Sequence, residues 1–533
     1  MKKITLLIAL FAIFNVNAQW TTDTAANTLV ASSNSSDMMS IGTSDGQTYV
    51  VFWKEVAAPV NYELRVQLMD ASGNQQFGAD GMLISNTIPM SSYTLFWSVS
   101  IDTNDNLYVG VTGTGDETGF AYKVDTSGNI LWTISNPDAY LVKVLPLSSG
   151  DVIVSWLSVS TYSATMRKYD SNGNAVWPSE QSVASPSPSS PANLYEISSG
   201  NLIMVFHELG SGVSSTLYAQ RFDTDGNEVW SNPTQLSNKT TAYNSFYSGA
   251  QDNDVIYYGY SAATATRFDS FVQRINPDGT LPWGINGADF DTNETNFEKG
   301  TKIAFASGSN YVWAICTYSD TSQNNIGEYV QKFDKVTGAR QLTETAKEVY
   351  AIGTDNVHAG DLRLIDDQPL FIIKSGADNG ATPTALNACY LDANGDFVWP
   401  EETKPIATYS ANKGDIHFNM PVNGDVVTAF VEDRGAGDNM YVQRFTDASL
   451  SVEEFNLTNT LEYQNPIKDE LKIKSNELIN EVQVYSAIGQ QLGIYKMNSN
   501  NITINSQDWS SGLYIVKVIT QNGKGESFKI LKK

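Results

Sequence analysis

One short turn recurs through most of this chain and limits what it can fold into. Its clearest copy is Tyr218-Ala-Gln-Arg-Phe-Asp-Thr-Asp-Gly-Asn-Glu-Val-Trp230. A run of β-formers leads into an Asp/Asn/Gly turn, and a large aromatic closes the unit. The turn side chains can hydrogen-bond their own backbone, and the glycine is free to take a positive φ. The turn returns as Asp70-Ala-Ser-Gly73, Asp125-Thr-Ser-Gly128, Asp170-Ser-Asn-Gly173, Asn276-Pro-Asp-Gly279, Asp334-Lys-Val-Thr-Gly338 and Asp392-Ala-Asn-Gly395. The aromatic returns as Phe77, Trp132, Trp177, Trp283 and Trp399, and a worn eighth copy keeps only the strand Tyr441-Val-Gln-Arg-Phe-Thr446. Successive turn glycines lie 45 to 59 residues apart, the period of a four-stranded propeller blade.

Each unit divides into four short strands, the second being the most apolar: Tyr49–Trp53, Val152–Trp156, Val255–Tyr258, Leu370–Ile373 and Val426–Phe430. A strand apolar on both faces must be covered on both, as it is between two blades. The chain opens in mid-unit, because Gln19-Trp20 and Leu29-Val30 read as a fourth strand and the last unit stops after its third. The N-terminal segment therefore completes the last blade and closes a ring, removing two open sheet edges. The expected fold is all-β, an eight-bladed propeller over residues 19–447, or seven-bladed if one weak unit is not a full blade. A linker (448–460) and a small β-sandwich (461–533) follow it.

The ends of the chain carry addresses. Met1-Lys-Lys3, the apolar run Ile4–Phe14 and Val16-Asn-Ala18 make up a secretory signal over residues 1–18, with cleavage expected between Ala18 and Gln19. No apolar run reaches spanning length. The formal charge is −25 over 533 residues, but the last 73 residues are net +2 and the signal is another +2. The middle therefore carries −29, which repels phosphate backbones and excludes nucleic acid as a partner.

After residue 460 the blade pattern stops. The tail shows Tyr463-Gln-Asn-Pro466, Asp469, Val484-Tyr485 with Gly489-Gln490, Gly512-Leu-Tyr514 and the closing Lys529-Ile-Leu-Lys-Lys533. These motifs resemble the C-terminal sorting domain of the type IX secretion system of Bacteroidetes, with Gln464 standing where that family usually has proline. In this reading Asn465, Pro466, Asp469, Gly489, Gly512, Tyr514 and Lys529 carry the sorting motif. The resemblance implies Sec export, passage across the outer membrane by the type IX machinery, and a secreted or surface-attached product. The blades in turn resemble outer-membrane assembly and quinoprotein propellers. The quinoprotein cofactor site uses adjacent cysteines, and Cys316 and Cys389 are 73 residues apart, so no such cofactor is expected.

The function of the ring itself is less legible. Gly42-Thr-Ser-Asp-Gly46 matches the nucleophile-elbow spacing but sits between strands with no helix after it, so it reads as a turn. Asp223 and Asp225 alternate as in calcium loops, yet no downstream bidentate glutamate follows; turn chemistry explains them, with calcium as the one cofactor to test. A column of bases two positions before the turns (Lys123, Lys168, Arg221, Arg274, Lys332, Arg444) reads as structural. First-to-second turns are short and alike (Ser44-Asp-Gly46, Ser148-Ser-Gly150, Ser198-Ser-Gly200, Val422-Asn-Gly424). The loops on the opposite rim are long and varied, as ligand-binding loops are. At their base the second strands end in Trp53, Thr112, Leu157, His207, Tyr260, Cys316, Lys374 and Val431. Trp53, His207, Tyr260 and Lys374 are the expected ligand contacts, with a glycan stacking on the aromatics or a protein as partner. The rival reading is a polysaccharide-degrading enzyme, for which Glu208 and Glu432 are the carboxylate pair; a structural part of a surface assembly is the third.

Overall fold

The computed structural model describes residues 20–450 and 461–533, except 22, 35–36, 59, 89–95, 114–117, 211–213, 243–246, 265, 377–381, 420–424, 487–490 and 522–524. The expected signal segment, its Ala18/Gln19 cleavage site, most of the linker and Gly489 lie outside the described residues. The chain divides into two compact units after Leu450.

Among the described residues the first unit forms eight antiparallel blades: six are separate four-stranded sheets, and blades four and five share one nine-stranded sheet through the extra strand Thr240–Ala242. Blade one is Met38–Gly42, Thr48–Glu55, Tyr62–Met69 and Met82–Ser85; blade four is Ser189–Glu196, Leu202–Leu209, Ser214–Phe222 and Thr234–Gln235. Blade eight is built from both ends of the unit. Lys413–Phe418, Asp425–Asp433 and Asp438–Thr446 come from the C-terminal side, and Thr28–Ser32 from the N-terminal side pairs with the third of these. The ring is closed as the phase of the repeat requires. Across the closure, Asp415 Oδ2 accepts a hydrogen bond from Met38 N at 3.0 Å and Asn419 Nδ2 donates to Thr48 Oγ1 at 2.8 Å.

The apolar second strands are sandwiched as their composition demands. In blade one, Tyr49, Val51 and Trp53 pack with Leu107, Val109 and Val111 of blade two. The alternate residues Val50 and Phe52 pack with Val427, Ala429 and Val431 of blade eight and with Val30. Full burial of each such side chain stabilises by about 1.5–3 kcal/mol.

The structure shows what the recurring turn does. The aromatic of one blade lies on the turn glycine of the next. Trp132 meets Gly173, Trp177 meets Gly226, Trp230 meets Gly279 and Trp283 meets Gly338. Several of these indoles also donate to a turn carbonyl of the next blade, as in Trp177 Nε1 to Thr224 O at 3.0 Å and Trp230 Nε1 to Pro277 O at 3.2 Å. The glycine is needed twice over. Gly173 has φ 82°, and a Cβ there would lie 2.9 Å from the Trp132 ring. In blade four the turn closes as a hairpin, with Phe222 bridged to Glu228 and Val229 N donating to Arg221 O at 2.7 Å; the chain then leaves the ladder at Trp230 and rejoins it at Thr234–Gln235. A buried glutamine compensates. Gln220 Nε2 donates to Trp230 O at 3.1 Å while its Oε1 accepts from Arg221 N. Gln67, Gln273 and Gln331 make the same double contact. The base after the glutamine reaches the next turn in Arg221, Arg274 and Lys332, which donate to Pro277 O, Lys335 O and Ala393 O. In these three copies the base serves the contact between blades.

Among its described residues the second unit forms a five-stranded antiparallel sheet. The 17-residue strand Glu470–Ser486 pairs with Leu461–Tyr463, Gln491–Asn505 and Gly512–Thr520, and the last of these pairs with Gly525–Lys532. Alternate apolar residues, among them Leu471, Ile473, Val482, Val484, Val516 and Ile530, form one core.

Candidate functional site

The residues picked from the second-strand column are mostly inside the protein. Trp53 is 1% exposed and Tyr260 is 2% exposed, with its hydroxyl donating to Asn286 O at 2.8 Å and its ring stacked on Phe271. Neither ring offers a face to a sugar, so the stacking expectation is corrected. The strands Thr48–Glu55 and Val255–Ala263 continue past these positions, so both rings belong to the core. His207 is also buried, 3.0 Å from Ser215 Oγ through Nδ1. Burial, with Lys143 adding to it, lowers its pKa to about 3, so the ring is neutral. Thr112, Leu157, Cys316 and Val431 are buried as well, and only Lys374 of the four expected contacts is partly exposed. Cys316 and Cys389 are free buried thiols.

The two carboxylates lie in different blades and are held by different partners. Glu208 lies in blade four and accepts from Ser185 Oγ at 3.2 Å. Glu432 lies in blade eight, 1% exposed, between Lys413 Nζ at 2.7 Å and Arg434. A carboxylate enclosed and held by two cations is set for structure, not for proton transfer. Asp223 is likewise taken up by its own turn: its Oδ1 accepts from the backbone N–H of Asp225 and of Asn227. The Asp223 carboxylate thus follows turn chemistry.

Two groupings that the sequence did not reveal are better candidates. On the long-loop rim, where blade five passes into blade six, Asp289, Asp291 and Glu298 bring carboxylate oxygens within 4.8 Å of one another. Tyr318 donates to Asp291 Oδ2 at 2.7 Å and Ser270 N donates to Glu298 Oε2 at 3.0 Å. The nearby arginines are committed elsewhere: Arg267 to Asp269 and Glu294, and Arg340 to Glu344 and to the carbonyls of Asp289 and Asp291. Such a trio holds either a divalent cation or a proton. Burial, then the neighbouring Asp291, pushes Glu298 up to about 10, and burial raises Asp289 to about 6. Glu298 therefore keeps its proton at neutral pH.

The unfolded chain releases the Glu298 proton near its ordinary value of 4.5, whereas the folded chain holds it to about 10. Stability is then fully retained below the unfolded value and falls as pH rises through the interval, by at most about 1.4 kcal/mol per pH unit for one proton. Replacing Glu298→Gln should flatten the melting temperature between pH 6 and pH 9 relative to the wild type, on the order of 1 kcal/mol per unit. Parallel curves for the two proteins would rule out the held proton. A calcium-induced rise in melting temperature at pH 8, absent from the variant, would put a cation in the proton's place.

The second grouping is a cavity of about 570 Å³ beside the short first turn of blade one, lined by residues of blades one, two, seven and eight. Ile41, Val99 and Ile101 line its apolar side; Gln47, Asp45, Asp361, Arg363, His417, Asn419, Asp425 and Arg444 line the rest. Arg363 Nη2 is 3.2 Å from Asp361 Oδ2, Lys302 Nζ is 3.6 Å from Asp361, and Gln47 Nε2 donates to Asp45 Oδ2 at 2.8 Å. Enclosure raises the Asp361 carboxyl, but Lys302 and Arg363 outweigh it and hold it below the ordinary carboxylate range. The Gly42-Thr-Ser-Asp-Gly46 segment is a turn at this mouth, as expected. Its Ser44 donates through both N and Oγ to Asp105 of blade two at 2.8 and 2.7 Å. Ser148 with Glu196 and Ser198 with Asp254 repeat that clasp, which is why these turns are short and alike.

Comparison with known proteins separates the address from the cargo. Residues 463–533 match the secretion system C-terminal sorting domain. This segment is a type IX sorting domain, and the chain is an exported, surface-located or secreted propeller protein. Within the domain, Asn465 clamps the last strand, donating to Lys529 O at 3.1 Å and accepting from Leu531 N at 2.9 Å. Tyr514 donates to Ser510 O at 2.7 Å. No described helix is long and apolar enough to cross a membrane. A search of curated proteins finds no match. Among solved structures the chain is similar to the Dos1 propeller (TM-score 0.44, 10% identity, 78% of this chain and 95% of that one). It is also similar to the β-propeller domain of the Trilobed protease from Pyrococcus furiosus (0.36, 12%, 68% and 98%). A third match is puromycin hydrolase (0.40, 13%, 78% of this chain), of which the chain spans 61%.

Proposed function

We propose that this is an exported binding protein that takes a small extracellular ligand into the cavity on the short-turn face. The cavity itself carries the reading: about 570 Å³ with an apolar side and facing polar groups is the size and character of a ligand site. The carboxylates suggested for catalysis support a binding role over an enzymatic one, since Glu432 is neutralised by Lys413 and Arg434. The long loops opposite then serve the ring's outer contacts. Filling the cavity tests this. A Val99→Trp variant of the mature chain, melting within a few degrees of the wild type, should lose binding to every ligand found in an extracellular glycan and peptide screen. Ligands that bind the variant unchanged would place the site elsewhere.

A further inference from the structure

The cavity's polar groups come in matched pairs, and this restricts what it can hold. Asp361 faces Arg363, and Asp425 is paired with Arg444. Asp45 is held by Gln47 and by Thr43, whose hydroxyl donates to it at 2.5 Å. The cavity thus offers hydrogen-bond donors and acceptors side by side, on planar groups held by their partners. Two simple ligand classes are disfavoured. An anion would meet three aspartates inside a chain of formal charge −25, and a cation would meet two arginines, each desolvated on entry.

A neutral polyhydroxylated ligand avoids both costs. Each hydroxyl can donate to a carboxylate and accept from a guanidinium or amide in the same plane. The less polar face of a sugar ring would lie against Ile41, Val99 and Ile101. Resting on the cavity reading above, we infer that the site takes a neutral oligosaccharide, with Asp361 and Arg363 bonding adjacent hydroxyls. His417, at the same wall, stays neutral at pH 7 because burial lowers its pKa, so it adds no charge that would favour an acidic sugar.

The test is calorimetry on the mature full-length protein with three probe sets: neutral oligosaccharides, uronate-containing or sulfated oligosaccharides, and short peptides. Neutral oligosaccharides should bind. Arg363→Met keeps an unbranched side chain while removing the guanidinium, which lies over the Phe418 ring at 5.7 Å, and should weaken binding about tenfold; Asp361→Asn should do the same. Should either variant melt far below the wild type, Gln47→Ala at the mouth supplies the test, with a smaller loss of severalfold. Binding of neutral sugars that survives all three substitutions overturns the site assignment. Binding confined to acidic sugars or peptides, and abolished by Val99→Trp, overturns the ligand class while leaving the cavity as the site. Binding that Val99→Trp leaves intact overturns both.

Discussion

Deleting Gln19–Val30 is expected to lower the melting temperature of the ring by more than about 10 °C, or to prevent its folding. The segment contributes little length but sits at the seam. It holds the first three residues of the strand Thr28–Ser32, which covers the edge of Asp438–Thr446, and Val30 is fully buried between blades one and eight. Asn27 Nδ2 donates to Gln443 Oε1 at 2.8 Å and to Ile406 O at 3.2 Å. Trp20 repeats the inter-blade contact seen around the ring: it packs on Gly73 and its Nε1 donates to Ala71 O at 2.8 Å. Losing these together opens one sheet edge and exposes the apolar faces of two blades. Single changes should give fractions of the effect. Trp20→Ala should cost about 2 kcal/mol, below the usual range for fully buried aromatics because the ring is only partly buried. Gly73→Ala should cost about as much, since φ is 87° and its Cβ would lie 3.0 Å from the Trp20 ring. Rejoining residues 19–32 after Thr446 through a flexible linker should restore the melting temperature. A deletion variant that melts like the mature protein would mean the ring does not depend on this closure.

The ring was legible in the sequence because its determinants are local and repeated. A turn glycine, an aromatic a few residues on and an apolar second strand recur at one period, so each copy confirms the others. The sorting domain was legible for the opposite reason: its motifs lie in one short stretch. What could not be read was the depth of each strand end. Trp53 and Tyr260 stand where the pattern changes from strand to loop, and a small shift of that boundary decides between a core side chain and a ligand platform. The cavity was hidden because its lining comes from blades one, two, seven and eight. Asp361 and Arg363 lie more than 300 residues from Gln47, and nothing local marks them as neighbours. The acidic trio had a faint signal in Asp289-Phe-Asp291 followed by Glu294 and Glu298. Without knowing that a connection between blades folds it together, that run reads as a solvated loop. The aspartates of the repeated turns drew the calcium hypothesis instead, because alternation is visible in sequence and convergence is not.

A closed ring with a separate export address makes a prediction that cell fractionation tests most directly. The unit boundary after Leu450 leaves every strand of blade eight on the ring side, so a chain ending at Leu450 should fold. Its counterpart is a fusion of residues 451–533 to an unrelated Sec-exported reporter. In a host with the type IX machinery, the truncated ring should be recovered folded in the periplasm, and the reporter should appear at the cell surface or in the medium. A truncated ring found outside the cell in amounts like the full-length protein, with the reporter retained in the periplasm, would contradict this division of the chain.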